Sequence, residues 1–182
     1  DDEATKYEIA DALLSAAGLE WYEISNWARP GYESRHNLGY WRNVDWAGLG
    51  PGAHSHYDAA ALSERGTARR GQADGEDSAT ALRSWDIAHP RLWGSAISEG
   101  RIPWAGSENI TVEENLEETI MLGLRIREGL DIARLGNAIA ETTWRELEHD
   151  GLIAIEHHHA IPTLRGRLLN DTIIAKLLES LD

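Results

Sequence analysis

The stretch "SRHNLGYWRN", Ser34 to Asn43, sets a histidine, an asparagine, a tyrosine and a tryptophan among arginines. The imidazole of His36 can ligate a haem iron or another metal through a ring nitrogen. Tyr40 and Trp41 can stack on a flat macrocycle, and Arg29, Arg35 and Arg42 can pair with its carboxylates. The same pattern also suits a histidine hydrogen-bonded within a wall of aromatics. These residues alone leave both readings open.

A second candidate is "GLGPGAHSH", Gly48 to His56. Glycines after a strand let a backbone approach a ligand closely and expose its amides. No Lys-Ser/Thr follows, so this is not a phosphate-binding P-loop. Glycines at 48, 50 and 52 also miss the G-x-G-x-x-G spacing of dinucleotide folds. A tight strand exit explains the run equally well. His54 and His56, two apart, would share one face of a strand as metal ligands can, but no third ligand stands near. His157, His158 and His159 fall at an expected hairpin tip and read as a solvated turn. No G-x-S-x-G elbow is present, and the carboxylates lie mainly on helix faces, where solvation is their ordinary role.

Bulk composition narrows the function classes. The chain has 182 residues, 42% apolar and 26% charged, enough to bury a core. Its net charge is −14, with 17 acids against 10 bases up to Ile110 and 14 against 7 beyond it. Neither half is a basic platform for nucleic acid. No apolar run approaches the length of a membrane span. Cysteine is absent, which removes disulfides, thiolate nucleophiles and Cys-ligated clusters from these residues. The opening "DDEATKYEIAD" has neither an initiator methionine nor a signal-peptide pattern. It reads as a fragment whose N-terminal part is missing.

The elements that must position these candidates follow from periodicity. Tyr7, Ala10, Leu13, Leu14 and Ala17 recur at helical spacing, with Gly18 as the stop. "LEWYEIS", Leu19 to Ser25, reads as a strand, and helix, turn, strand predicts an α/β layer with a parallel sheet. A second strand is expected at Asp45 to Leu49. Asp58 to Ala81 is polar and small, a flexible insertion or linker. "HPRLWGSAISEG" predicts a short helix with Pro90 in its first turn. Thr111-Val112-Glu113-Glu114 fits a capping box opening a helix to about Glu128, with Gly129 as its stop and Leu116, Ile120, Leu124 and Arg127 along one line. A helix near Ile139 to His149, a hairpin of Leu152–Ile155 with Ala160–Thr163, and a final amphipathic helix complete a winged-helix-like arrangement.

Four blocks, "WYEISNWARPGYESRHNLGYW", "DWAGLGPGAHSH", "ENLEETIMLGLRIREGLD" and "DGLIAIEHHHAIPTLRGRLLND", together resemble the oxygen-independent coproporphyrinogen III oxidase-like radical-SAM family, in its HemW-type haem-chaperone branch. They occur in the family's order and cover most of the chain outside Asp58–Ala81. The resemblance implies a mixed fold, α/β plus α+β. Residues 1–57 would be the last elements of a partial (β/α) radical-SAM barrel, 58–81 an insertion or linker, and 82–109 a connector. Residues 110–182 would form a winged-helix-like C-terminal domain.

The same resemblance assigns roles. "HNLGYW" matches the branch motif H-N-x-x-Y-W at His36, Asn37, Tyr40 and Trp41, which implies haem binding there with His36 as ligand. Ala28 and His54 would touch S-adenosyl-L-methionine, with Gly48, Gly50 and Gly52 giving the backbone room beside it. The family's C-x-x-x-C-x-x-C motif, which binds a [4Fe-4S] cluster, has no counterpart, so these residues cannot hold the cluster. The implied function is a cytoplasmic haem chaperone that binds haem and delivers it to haem-requiring proteins. Peripheral membrane contact is compatible with this, as is a homodimer formed through an unpaired sheet edge. Two rivals stand beside it. One is oxygen-independent coproporphyrinogen III oxidase, an oxidative decarboxylation in porphyrin biosynthesis. The other is a winged-helix interaction module with a local patch of Arg125, Arg127, Arg165 and Arg167.

Overall fold

The computed structural model describes residues 2–58 and 80–181, so the expected insertion lies, apart from its ends, outside the described residues. The chain divides into two compact units, residues 1–43 with 116–182, and residues 44–115. Among the described residues no helix is long and apolar enough to cross a membrane.

The first unit opens with α1 (Asp2–Ala16). The helix closes as expected: Gly18 adopts φ +79°, Leu19 N–H donates to Leu14 C=O and Gly18 N–H to Ser15 C=O, the paired bonds of a glycine C-terminal stop. Its apolar stripe behaves differently from the expectation. Tyr7, Ala10 and Leu14 are half-buried, but Leu13 is 67% exposed and no residue of α1 is fully buried. Polar contacts hold the helix instead. Tyr7 donates to Ile24 C=O at 2.8 Å, and Asp11 accepts from Trp27 Nε1 at 2.8 Å and from Arg167 Nη1 at 3.0 Å.

Strands β1 (Glu20–Glu23) and β2 (Asn26–Ala28) form an antiparallel hairpin. The expected parallel layer is not what forms; every strand pairing among the described residues is antiparallel. Only Ile24 and Ser25 separate β1 from β2, whereas a parallel partner needs a crossover of a dozen or more residues. Ile24 sits at φ +27°, costly for a β-branched side chain. Three bonds impose it: its C=O accepts from Tyr7 and from Trp21 Nε1, and its N–H donates to Arg125 C=O.

After α2 (Arg35–Trp41), the unit resumes at Leu116, within α4 (Val112–Gly123). The capping box is present reciprocally: Thr111 N–H donates to Glu114 at 2.8 Å, and Glu114 N–H to Thr111 Oγ1 at 3.2 Å. The helix stops at Gly123 rather than near Glu128. Residues 125–127 leave it because β1 captures their backbone, with Arg127 N–H donating to Tyr22 C=O and Ile126 bridging Glu23. Beyond them, β6 (Leu130–Asp131), β7 (Ile153–Glu156) and β8 (His159–Pro162) form a sheet in the order β6-β8-β7, with α5 (Glu141–His149) between β6 and β7. The expected final helix is broken into α6 (Leu164–Leu168) and α7 (Asn170–Leu178) at Leu169, whose φ of −114° and ψ of 25° interrupt helical winding. Ile120, Leu130, Trp144, Leu147, Ile153 and Ile173 form the centre of this unit's core.

The second unit is built on an antiparallel sheet, β3 (His54–Asp58), β4 (Ala81–Asp86) and β5 (Trp104–Ile110), in that order. The expected strand at Asp45–Leu49 is reduced to a single bridge between Trp46 and His56. Helix α3 (Pro90–Ser98) carries Pro90 in its first turn as expected. Trp93 Nε1 donates to Asp86 at 2.9 Å, fastening that helix to β4.

Candidate functional site

The motif "HNLGYW" is a helix, α2. Pro30-Gly31 ends the preceding hairpin, and Ser34 caps the helix by accepting from Asn37 N–H at 3.3 Å. Helical spacing then sorts the motif by face. His36 and Tyr40, four apart, are exposed, with ring centroids 4.8 Å apart in an edge-on arrangement. Asn37, Leu38 and Trp41 turn inward. Leu38 is buried with Tyr22, Ala28 and Ile126, and Trp41 packs against that cluster.

Asn37 meets a residue that sequence reasoning passed over. Glu23, 2% exposed, accepts on one oxygen from Asn37 Nδ2 at 3.2 Å and from Asn26 Nδ2 at 2.7 Å. A buried carboxylate must be hydrogen-bonded to be tolerable, and two amides from separate elements satisfy it here. The signal was a lone acid inside the aromatic strand "WYEIS". Its partners, three and fourteen positions away, could not be paired with it from order alone.

The three arginines expected near the motif separate. Arg42 is taken by Glu128, with Nε to Oε2 at 3.0 Å; that bond outweighs burial and holds the Glu128 carboxyl below its ordinary range. Arg29 and Arg35 are exposed. Arg125, which the sequence offered only as part of a surface patch, lies with its guanidinium carbon 5.7 Å from the Trp41 ring centroid. It also lines a groove of about 550 Å³ shared with Tyr7, Trp21, Ile24, Leu124 and Arg167. Arg167 is committed elsewhere: it binds Asp11 and lies over Trp21 at 4.5 Å. Burial alone would push the Asp11 carboxyl up, but hydrogen bonds from Arg167 and Trp27 and the guanidinium charge leave it below its ordinary value. Burial raises the Tyr7 phenol.

The other candidate residues divide between the units. Ala28 lies in the first, its side chain buried beneath α2. Gly48, Gly50, Gly52 and His54 lie in the second. A Cβ on Gly48 would stand 1.9 Å from His54 C=O, so the chain's own close approach requires that glycine. Gly50, at φ +125°, has open space where its side chain would be. His54 is exposed and His56 is 4% exposed, stacked on Trp46 with both ring nitrogens unpartnered among the described residues. The two histidines therefore share no open face. No group of three or more metal-ligating side chains occurs among the described residues. His157 and His158 form the expected exposed turn, at φ +50° and +66°.

Comparison with known proteins adds the family context. Residues 110–169 match the family model described as the HemN C-terminal domain. A Mycobacterium tuberculosis (strain ATCC 25618 / H37Rv) protein named "Heme chaperone HemW" is 38% identical over 175 residues, covering 96% of this chain and 39% of the relative. Its Bacillus subtilis (strain 168) namesake is 29% identical over 188 residues, covering 100% of this chain and 44% of the relative. The chain thus spans about two-fifths of the length of these curated relatives. Among solved structures, the Escherichia coli radical-SAM coproporphyrinogen III oxidase HemN superposes with a TM-score of 0.56 at 15% identity. That match covers 96% of this chain and 40% of the enzyme, a likeness of fold.

Proposed function

We propose that the chain is part of a HemW-type haem chaperone of the coproporphyrinogen III oxidase-like radical-SAM family, and that it binds haem at α2 for delivery to haem-requiring proteins. The observation that carries this reading is the division of labour within the motif. His36 presents an exposed imidazole with Tyr40 edge-on beside it, while Leu38 and Trp41 anchor the helix to the β1–β2 hairpin. A ligand on a capped, anchored helix is held at small conformational cost. His36 is the iron ligand, Tyr40 and Trp41 shape the flanks, and Asn37 positions the helix through Glu23.

Residues 1–57 serve in this reading as the closing α/β elements of a radical-SAM barrel, and 110–182 as a winged-helix-like domain. The β6-β8-β7 sheet beside α4 and α5 is in keeping with the latter. Of the residues assigned to S-adenosylmethionine, Gly50 suits a close backbone approach, with Gly52 and His54 beside it in the same unit, while Gly48 is required by its own contact with His54 C=O and Ala28 is buried in the other unit. The [4Fe-4S] cluster does not fit this chain, which lacks every thiolate such a cluster needs. No radical step is assigned to these residues.

Haem titration of the intact protein, followed by visible absorbance, tests the proposal. The unsubstituted protein should give a His-ligated spectrum that His36→Ala loses along with affinity. Unchanged affinity and spectrum in His36→Ala would overturn the assignment.

A further inference from the structure

We infer that Gly39 is a specificity-determining residue of the haem site: the side chain it lacks clears the flank of His36 over which the tetrapyrrole spreads. The inference rests on the haem-binding reading and names the feature of α2 that admits so broad a ligand. Helix α2 has seven residues, and its inward side is filled. Leu38 is buried, while Asn37 and Trp41 are half-buried against the β1–β2 hairpin. Arg35, His36, Tyr40 and Arg42 are exposed.

Helical winding fixes where Gly39 falls among these. It stands about 60° from His36 around the axis, while Tyr40 stands about 40° away on the other side. The two flanks of the imidazole therefore differ. Tyr40 closes one, its ring centroid 4.8 Å from that of His36. On the other, Gly39 separates His36 from Arg35 with no side chain. Side chains on a helix lean toward its N-terminus, so one at position 39 would lie over Arg35 and beside His36. Its Cβ would come within about 5–6 Å of the His36 Cβ. Glycine leaves that strip of the helix bare.

The helix itself gains nothing from this choice. Gly39 has helical dihedrals and is not among the residues at positive φ, so no turn geometry requires a glycine there. Glycine is the poorest helix former after proline, because it loses the most backbone freedom on ordering. In a short helix little else offsets that loss; α2 relies on its Ser34 cap and on the anchoring of Leu38 and Trp41. What the position gains is surface. A planar ligand held by His36 meets backbone there instead of a side chain and can lie close along the helix. A single metal ion on the same imidazole needs no such clearance. Arg35, exposed at the far border of the strip, offers a guanidinium to the carboxylates of a macrocycle.

Haem titration and urea unfolding of the intact protein, run together on Gly39→Ala and Gly39→Leu, test this. Both substitutions favour the helix, so each variant should unfold at a urea midpoint at least as high as that of the unsubstituted protein. Haem affinity should fall all the same, about tenfold or more for Gly39→Leu, the loss expected of an overfilled contact, and less for Gly39→Ala. Stability and affinity moving in opposite directions is the signature, since a glycine needed only by the fold would lose both together. Unchanged haem affinity in both variants would overturn the role of Gly39, as would a loss of affinity in Gly39→Ala accompanied by a fall in its urea midpoint. In either case His36-dependent binding in the unsubstituted protein keeps the broader reading intact. Absence of haem binding in the unsubstituted protein would overturn both. If Gly39→Leu does not fold, as judged by circular dichroism, the same pair of measurements on Gly39→Ala decides.

Discussion

Asn37 donates its side-chain amide to Glu23 at 3.2 Å, so the second residue of the "HNLGYW" motif is spent on a buried carboxylate of β1. Asn26 donates to the same oxygen at 2.7 Å from the far side of the hairpin. One 2%-exposed acid thereby ties together the strand, its turn and the helix that displays His36.

This arrangement sets an order of costs. Glu23→Ala strands two amides and should destabilise the protein by about 1–3 kcal/mol. Asn37→Asp should cost more than Asn37→Ala, because it brings a second carboxylate to hydrogen-bond distance of the first. Urea unfolding midpoints give the ranking. Equal costs for the two Asn37 variants would remove Glu23 from its place beneath α2.

The Asp11–Arg167 pair should make stability acid-sensitive. Asp11 titrates below its ordinary value of 3.8 in the folded chain. Its contribution is therefore complete above that value and disappears as pH falls through the lower folded one. Asp11→Asn should cost about 1.5–3 kcal/mol at neutral pH, with the gap to the unsubstituted protein closing below pH 3.8. Chemical denaturation as a function of pH measures this; a gap that stays constant into strong acid would contradict it.

Glycine to alanine should act with opposite signs at two helical positions. In α3, a Cβ on Gly94 meets nothing within 4 Å, so Gly94→Ala should stabilise by about 0.5–1 kcal/mol. In α6, a Cβ on Gly166 would stand 1.8 Å from Leu152 C=O. Gly166→Ala must displace α6 from the start of β7 and should cost at least about 1–3 kcal/mol. Thermal melts of the two variants provide the check.

Local signals were the legible part of this chain. The Thr111–Glu114 capping box, Pro90 at a helix start, Gly18 as a stop and the turn at His157–His158 depend on neighbouring residues and were readable from them. What depended on distant partners was not. The length of α4 is decided by β1 capturing residues 125–127, and no pattern inside "ENLEETIMLGLRIREGLD" announces that. Strands β4 and β5 escaped notice for a related reason. Ser84 is fully buried and β5 is exposed along nearly all its length, so neither shows the alternation of a half-buried strand. At the candidate site, His36 was visible as a ligand type and Tyr40 as its neighbour. Glu23 and Arg125 acquire their meaning only when hairpin, helix and the segment after α4 meet.

The β7–β8 turn offers the cleanest test of a histidine cluster that does no binding. His157 and His158 occupy φ +50° and +66°, a two-residue connection between Glu156 and His159. Positive φ at both central positions favours Asn-Gly over bulkier residues, because a side chain there crowds its own backbone. Both rings are exposed, so replacing them forfeits no buried surface. The bond from Ile132 N–H to His158 C=O is a main-chain contact and survives the change. The double substitution His157→Asn with His158→Gly should therefore raise stability by about 1 kcal/mol and leave haem affinity untouched. Denaturant unfolding with haem titration on the same sample reads both quantities. A loss of haem affinity would move these histidines from turn to ligand site.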